Sequence, residues 1–201
     1  ETEQRNVYRL FIHIMHLCAK DSKEKKYHKI NYIFTKKIAM AIQTTLITEL
    51  KHEASNTRKM LERLPEDKLS WKPHEKSKSL GQLAAHVAEI PRWIIHLLSK
   101  IEFDMERDAF DRVKFSSRDE IISDFEQILE QAVEALQKCA DGEWKVNWTF
   151  KRGEHKIFEL PREAAMRSLV MNHLVHHRGQ LSVYLRLLNV PVPGMYGPSA
   201  D

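Results

Sequence analysis

Across 201 residues, 42% of them hydrophobic, the chain is long enough to bury one core of ordinary size and short enough to be one domain or at most two. Only six Gly and seven Pro interrupt long stretches in which apolar residues recur every three or four positions, which favours helices and leaves sheet a minor component. The net charge of +4 is unevenly placed: residues 1–39 hold nine Lys or Arg against four Asp or Glu, while the rest is nearly neutral and carries no basic stripe, so nucleic acid is not expected as a partner.

Two cysteines, Cys18 and Cys139, cannot build a disulfide framework and lack a C-x-x-C spacing, so a reducing compartment, the cytoplasm, is expected. The apolar patch from Leu10 to Ala19 is broken by His13 and His16 and falls short of the roughly 20 residues of a membrane span. No membrane association is expected.

In chain order, residues 1–39 are Lys-rich, almost wholly polar from Asp21 to Lys29, and show no clean amphipathic period. They are expected to be a basic N-terminal extension, disordered or lying upstream of a natural start at Met40; the rival reading is a genuine basic tail that touches acidic partners. The domain is expected over residues 40–201. Leu46, Leu50, Ala54, Thr57, Leu61 and Leu64 mark one face of a first helix that Pro65 ends. After a linker, Glu66 to Lys78, Ser79 can N-cap a second helix running to about Lys100, with a kink at Pro91. Ser-Ser-Arg-Asp-Glu from Ser116 resembles a capping box and opens a third helix that reaches about Ala140. Trp144 to Phe150 and His155 to Leu160 alternate around Lys151-Arg152-Gly153-Glu154, the pattern of a short hairpin. Pro161 opens a fourth helix that lasts to about Leu188, before Pro191 and Pro193. The expected class is therefore all-α, a four-helix bundle with a short β-hairpin before the last long helix.

Chemistry concentrates in Met171-Asn172-His173-Leu174-Val175-His176-His177-Arg178-Gly179-Gln180-Leu181. Residues four apart on a helix stack about 6 Å apart on one face, so His173 and His177 can offer imidazoles to one ion while His176 points elsewhere. The apolar positions Leu169, Val170, Leu181, Tyr184 and Leu188 put the pair on the inward face. His86, in Leu83-Ala84-Ala85-His86-Val87-Ala88-Glu89, lies on the face of Leu83, Val87, Ile90 and Ile94 and can supply a third ligand from another helix. Each has a plainer reading, since an inward histidine is more often a hydrogen-bonded core residue and one His-x-x-x-His is weak support for a metal. Spacing alone leaves both open.

Four stretches carry a resemblance: Leu69-Ser70-Trp71-Lys72-Pro73-His74-Glu75-Lys76-Ser77, Leu80 to Glu89 ending in Ala-His-Val-Ala-Glu, His173 to Leu181, and Val192-Pro193-Gly194-Met195-Tyr196-Gly197-Pro198-Ser199-Ala200-Asp201. In this combination and order, the segment from about Met40 to Asp201 resembles the DinB family of helical metalloenzymes, which is related to the bacillithiol transferases. The resemblance implies a four-helix bundle with a long crossover, a homodimer, and a metal triad of His86, His173 and His177. It implies a divalent ion such as zinc, nickel or iron, and a small-molecule thiol and an electrophile as partners in a thiol S-transferase reaction. Three histidines leave an ion one open position, as in catalytic zinc sites. Two alternatives stand beside the transferase. One is a metal-dependent hydrolase with Glu53 or Glu89 as general base, although either could be a solvated helix carboxylate. The other is a non-catalytic metal-binding stress-response protein. His176 and Gln180 could orient the ligands, surface hydrogen bonding being the simpler role, and Trp71 and Trp93 could line the cleft or belong to the core.

Overall fold

A computed structural model describes residues 23–108, 112, 113, 115–140 and 142–201. Cys18 and the first 22 residues of the expected basic extension lie outside the described residues. The chain divides into two units, residues 1–42 and 43–201. Helix α1 is described over Lys23–Leu61, beginning upstream of Met40, and its residues from Gln43 onward belong to the second unit.

The second unit is mostly helical, with one small sheet. In chain order it continues with a 3-10 turn (Glu66–Lys68), α2 (Leu80–Glu89), α3 (Arg92–Ser99), β1 (Glu102–Asp104), α4 (Arg118–Lys138), a second 3-10 turn (Glu143–Lys145), β2 (Asn147–Arg152), β3 (His155–Pro161), and then a helical run of α5 (Arg162–Ala165), a π-helical turn (Met166–Met171) and α6 (Asn172–Leu187). No helix here is long and apolar enough to cross a membrane, among the described residues.

Ser79 starts α2 with a reciprocal cap: its hydroxyl accepts from Gln82 N–H at 3.2 Å, and its own N–H donates to Gln82 Oε1 at 2.8 Å. Two of the orphan donors at the helix start are satisfied in this way. At α4, Ser117 accepts from Glu120 N–H, but the Glu120 carboxylate reaches back one residue further, to the N–H and hydroxyl of Ser116. The expected second helix is two helices. Pro91 has no N–H to continue the ladder, so α2 ends at Glu89, a tight turn follows, and α3 starts at Arg92.

Leu80, Leu83, Ala84 and Ala88 of α2 are buried with Ala54, Met60 and Leu61 of α1, Ile121 and Phe125 of α4, and Leu181 and Leu185 of α6 in one core cluster. Each such leucine contributes about 1.5–3 kcal/mol relative to an exposed one. The expected hairpin is present, and a third strand joins it: the sheet order is β1-β2-β3, with β1 parallel and β3 antiparallel to β2. An all-α class is therefore corrected to a mostly helical fold with a three-stranded sheet. At three residues, Glu102-Phe103-Asp104 is too short to show alternation; its pairing partner, not its own pattern, makes it a strand. Asp104 then ties the strand to the hairpin tip, one oxygen accepting from Gly153 N–H at 2.9 Å and Glu106 N–H at 3.0 Å. Gly153 has φ +54, a conformation that an L side chain rarely adopts.

Candidate metal centre

α2 is buried on nearly every side, and His86 sits at its less covered edge, with 16% of its side chain exposed. His173 and His177 lie half-buried along α6, flanking a buried stripe of Leu174, Arg178, Leu181 and Leu185. This stripe is turned from the one expected, because the π-helical turn before Asn172 adds a residue to the helical path and shifts everything downstream.

The three histidines converge. One ring nitrogen from each lies within 4.8 Å of the other two. Ring centroids are 5.1 Å apart for His86 and His173, 4.5 Å for His86 and His177, and 4.6 Å for His173 and His177. His86 Nε2 and His173 Nε2 are 3.3 Å apart. Tetrahedral nitrogens bonded to zinc at about 2.0–2.1 Å would be separated by about 3.3 Å.

Each Nδ1 faces an oxygen. His86 Nδ1 donates to Glu89 Oε1 at 2.9 Å, His173 Nδ1 to the Leu169 carbonyl at 3.2 Å, and His177 Nδ1 to Gln180 Oε1 at 2.7 Å. A carbonyl and a carboxylate only accept, so the hydrogens of His86 and His173 sit on Nδ1 and each neutral ring keeps its lone pair on Nε2. Two lone pairs then face each other across 3.3 Å, an arrangement that repels until something positive stands between them. The donor set fits a divalent cation, with three imidazoles whose far nitrogens are already anchored.

Burial holds His173 and His177 neutral. Desolvation pushes His177 down to about 4, with the neighbouring histidines acting in the same direction and the Gln180 hydrogen bond opposing. His173 is lowered from its ordinary 6.5 by burial first, then by His86. At neutral pH both are free of the proton that would compete with an ion.

The remaining candidates fall elsewhere. Glu53 is bound by Arg178 and Tyr196: Arg178 Nη1 donates to the Glu53 carbonyl at 2.8 Å, Nη2 donates to its carboxylate, and the Tyr196 hydroxyl donates to the same oxygen at 2.7 Å. Glu89 is only 3% exposed and hydrogen-bonded on both oxygens, so the solvated-carboxylate reading does not hold. It lies on the Nδ1 edge of His86, away from the nitrogen that faces the other histidines. Gln180 is more than a surface residue, since it orients His177. His176 is exposed, its ring 4.8 Å from that of His177. Trp71 packs edge-on against Tyr184, and Trp93 against Phe103 and Phe150. Sequence reasoning missed Arg178 as a buried residue; its signal was a charge in register with Leu174, Leu181 and Leu185.

The sequence matches the DinB family over residues 36–201. This chain belongs to the DinB family. The uncharacterized protein YrdA of Bacillus subtilis strain 168 is 28% identical over 152 residues, covering 74% of this chain and 84% of YrdA. The crystal structure of a DinB-like protein from Bacillus cereus ATCC 10987 superposes with a TM-score of 0.59 at 25% identity, over 75% of this chain and 95% of that one. YjoA, a DinB-like protein from Bacillus subtilis, shares the fold with a TM-score of 0.57 at 17% identity, over 72% of this chain and 92% of its own.

Proposed function

We propose that this DinB protein is a divalent-metal-dependent enzyme that joins a low-molecular-weight thiol to an electrophile, with His86, His173 and His177 as the ligands. One observation carries the reading: three imidazoles from two helices turn one nitrogen each toward a common point, and each opposite nitrogen is anchored by an acceptor. A divalent ion held there would supply a Lewis-acidic charge with an open position, which would favour the thiolate form of a thiol over the thiol. The protein's part is to keep the three rings oriented and partly shielded from water, with His173 and His177 held neutral. The hydrolase alternative needs a base facing that open position, and Glu53 and Glu89, its two candidates, are engaged elsewhere. Zinc, nickel and iron all suit three imidazoles.

We further read the long helices as a four-helix bundle with a long crossover, and the protein as a cytoplasmic homodimer. Light scattering of the purified protein tests the dimer. The first test of function is elemental analysis of tag-free protein beside His177→Ala. One ion per chain in the wild type, with most of it lost in the variant, is expected. Wild type that takes up no metal on reconstitution overturns the proposal. Metal uptake without turnover against any thiol and electrophile pair would leave the non-catalytic metal-binding reading.

A further inference from the structure

We infer that Glu89 is a positioning residue for the metal centre: its carboxylate holds His86 in the tautomer that presents Nε2, and ties that ring to Arg112 and Val113. The inference rests on the metal reading above. Glu89 is the last residue of α2 and is 3% exposed. A carboxylate there is disfavoured twice, by burial and by the negative end of the helix dipole, so its partners must offset both. Those partners are specific. Oε1 accepts from His86 Nδ1 at 2.9 Å and from Arg112 Nη1 at 3.1 Å, and Oε2 accepts from the Val113 N–H at 3.3 Å.

The three histidines are not equivalent in this respect. His173 donates to a backbone carbonyl one turn earlier and His177 to a side-chain amide, whereas His86 donates to a carboxylate group that Arg112 also reaches. A charged acceptor makes the stronger hydrogen bond and leaves more electron density on the opposite ring nitrogen. His86 is thereby the strongest donor of the three. It is also the one ligand of the three supplied by α2, aligned there by Glu89 one turn on. The same carboxylate also accepts from Val113 N–H, on its other oxygen. Glu89 acts through His86 and does not itself touch the ion.

The wild-type full chain provides the first measurement, nitrogen-15 NMR of its imidazoles without metal, with His86 assigned by difference from His86→Ala. An Nδ1-protonated His86 at neutral pH is expected, and an Nε2-protonated ring overturns the inference without any question of folding. The second is cobalt and zinc titration of wild type and Glu89→Gln against a chromophoric chelator. The variant is expected to bind one ion per chain about 10- to 100-fold more weakly, with a shifted ligand-field absorption of the cobalt form. A Glu89 with only a structural role would lower the melting temperature of the metal-free protein and leave affinity and spectrum unchanged, and that result overturns the inference. Wild type that binds no ion removes the metal reading and this one together. Unchanged affinity in Glu89→Gln beside a wild type that binds one ion removes only the role of Glu89. Should Glu89→Gln fail to fold, the wild-type tautomer decides.

Discussion

His177 shows how burial prepares a ligand and leaves a pH signature. In the unfolded chain it takes up a proton near 6.5, and in the folded protein only near 4. Between those values the unfolded state binds more protons, so the metal-free protein gains stability as pH rises from about 4 toward 6.5, and this contribution is flat outside the window. Melting temperatures of chelator-treated protein are expected to climb across it, with a shallower climb in His177→Ala. Arg178, the next residue, is a buried cation whose worth lies in its partners. Replacing it by Leu strands Glu53, which is 8% exposed, without its guanidinium. Breaking a buried pair in this way costs about 3–5 kcal/mol, whereas removing both charges costs much less. Urea unfolding of Arg178→Leu against Glu53→Leu/Arg178→Leu is expected to show the double variant as the more stable of the two; the reverse order would show that Tyr196 alone satisfies the buried carboxylate.

Helix α2 and the π-helical turn show the same logic at the level of elements. Gly81 lies buried in the first turn of α2, and a Cβ there would overlap the ring of Phe115, which packs against the core. Alanine normally improves a helix by about 1 kcal/mol over glycine, yet overpacking costs about 1–3 kcal/mol. Gly81→Ala is therefore expected to lower stability, and a rise in melting temperature would show that the ring moves aside freely. The π-helical turn at Met166–Met171 joins a buried start, Arg162 and Ala165, to the part of the run that carries His173 and His177. Deleting the exposed Ser168 would remove the extra residue and close the turn to α-helix with the two halves keeping their facing. Retained metal uptake with retained far-UV circular dichroism is the expected result. Loss of uptake would show that the wide turn itself aims the histidines.

For the whole molecule, an ion that binds only the folded state adds stability by mass action, about 2.7 kcal/mol when free metal is 100 times its dissociation constant. Chelation is expected to lower the melting temperature while the helical signal at 25 °C persists, because the core of leucines, Phe125 and Met60 is built without the ion. Collapse of the fold on chelation would point to a structural site.

Much of this was legible along the chain because it is local. Ser79 with Gln82, the proline after Leu64, the alternation around Gly153 and the four-residue spacing of His173 and His177 are all interactions within one turn or hairpin, and such interactions leave a period or a cap in the sequence. What the tertiary structure alone decided lies between distant segments. The facing of His86 and His173 spans 87 positions. The burial of Arg178 on Glu53, the engagement of Glu89 by Val113, and the pairing of Glu102–Asp104 with β2 are likewise long-range. A contact across such a distance imposes no spacing on the residues that make it. The sequence by itself determined the helices, the hairpin and a pair of histidines on one face; packing decided that a third histidine meets them, and which oxygens hold all three.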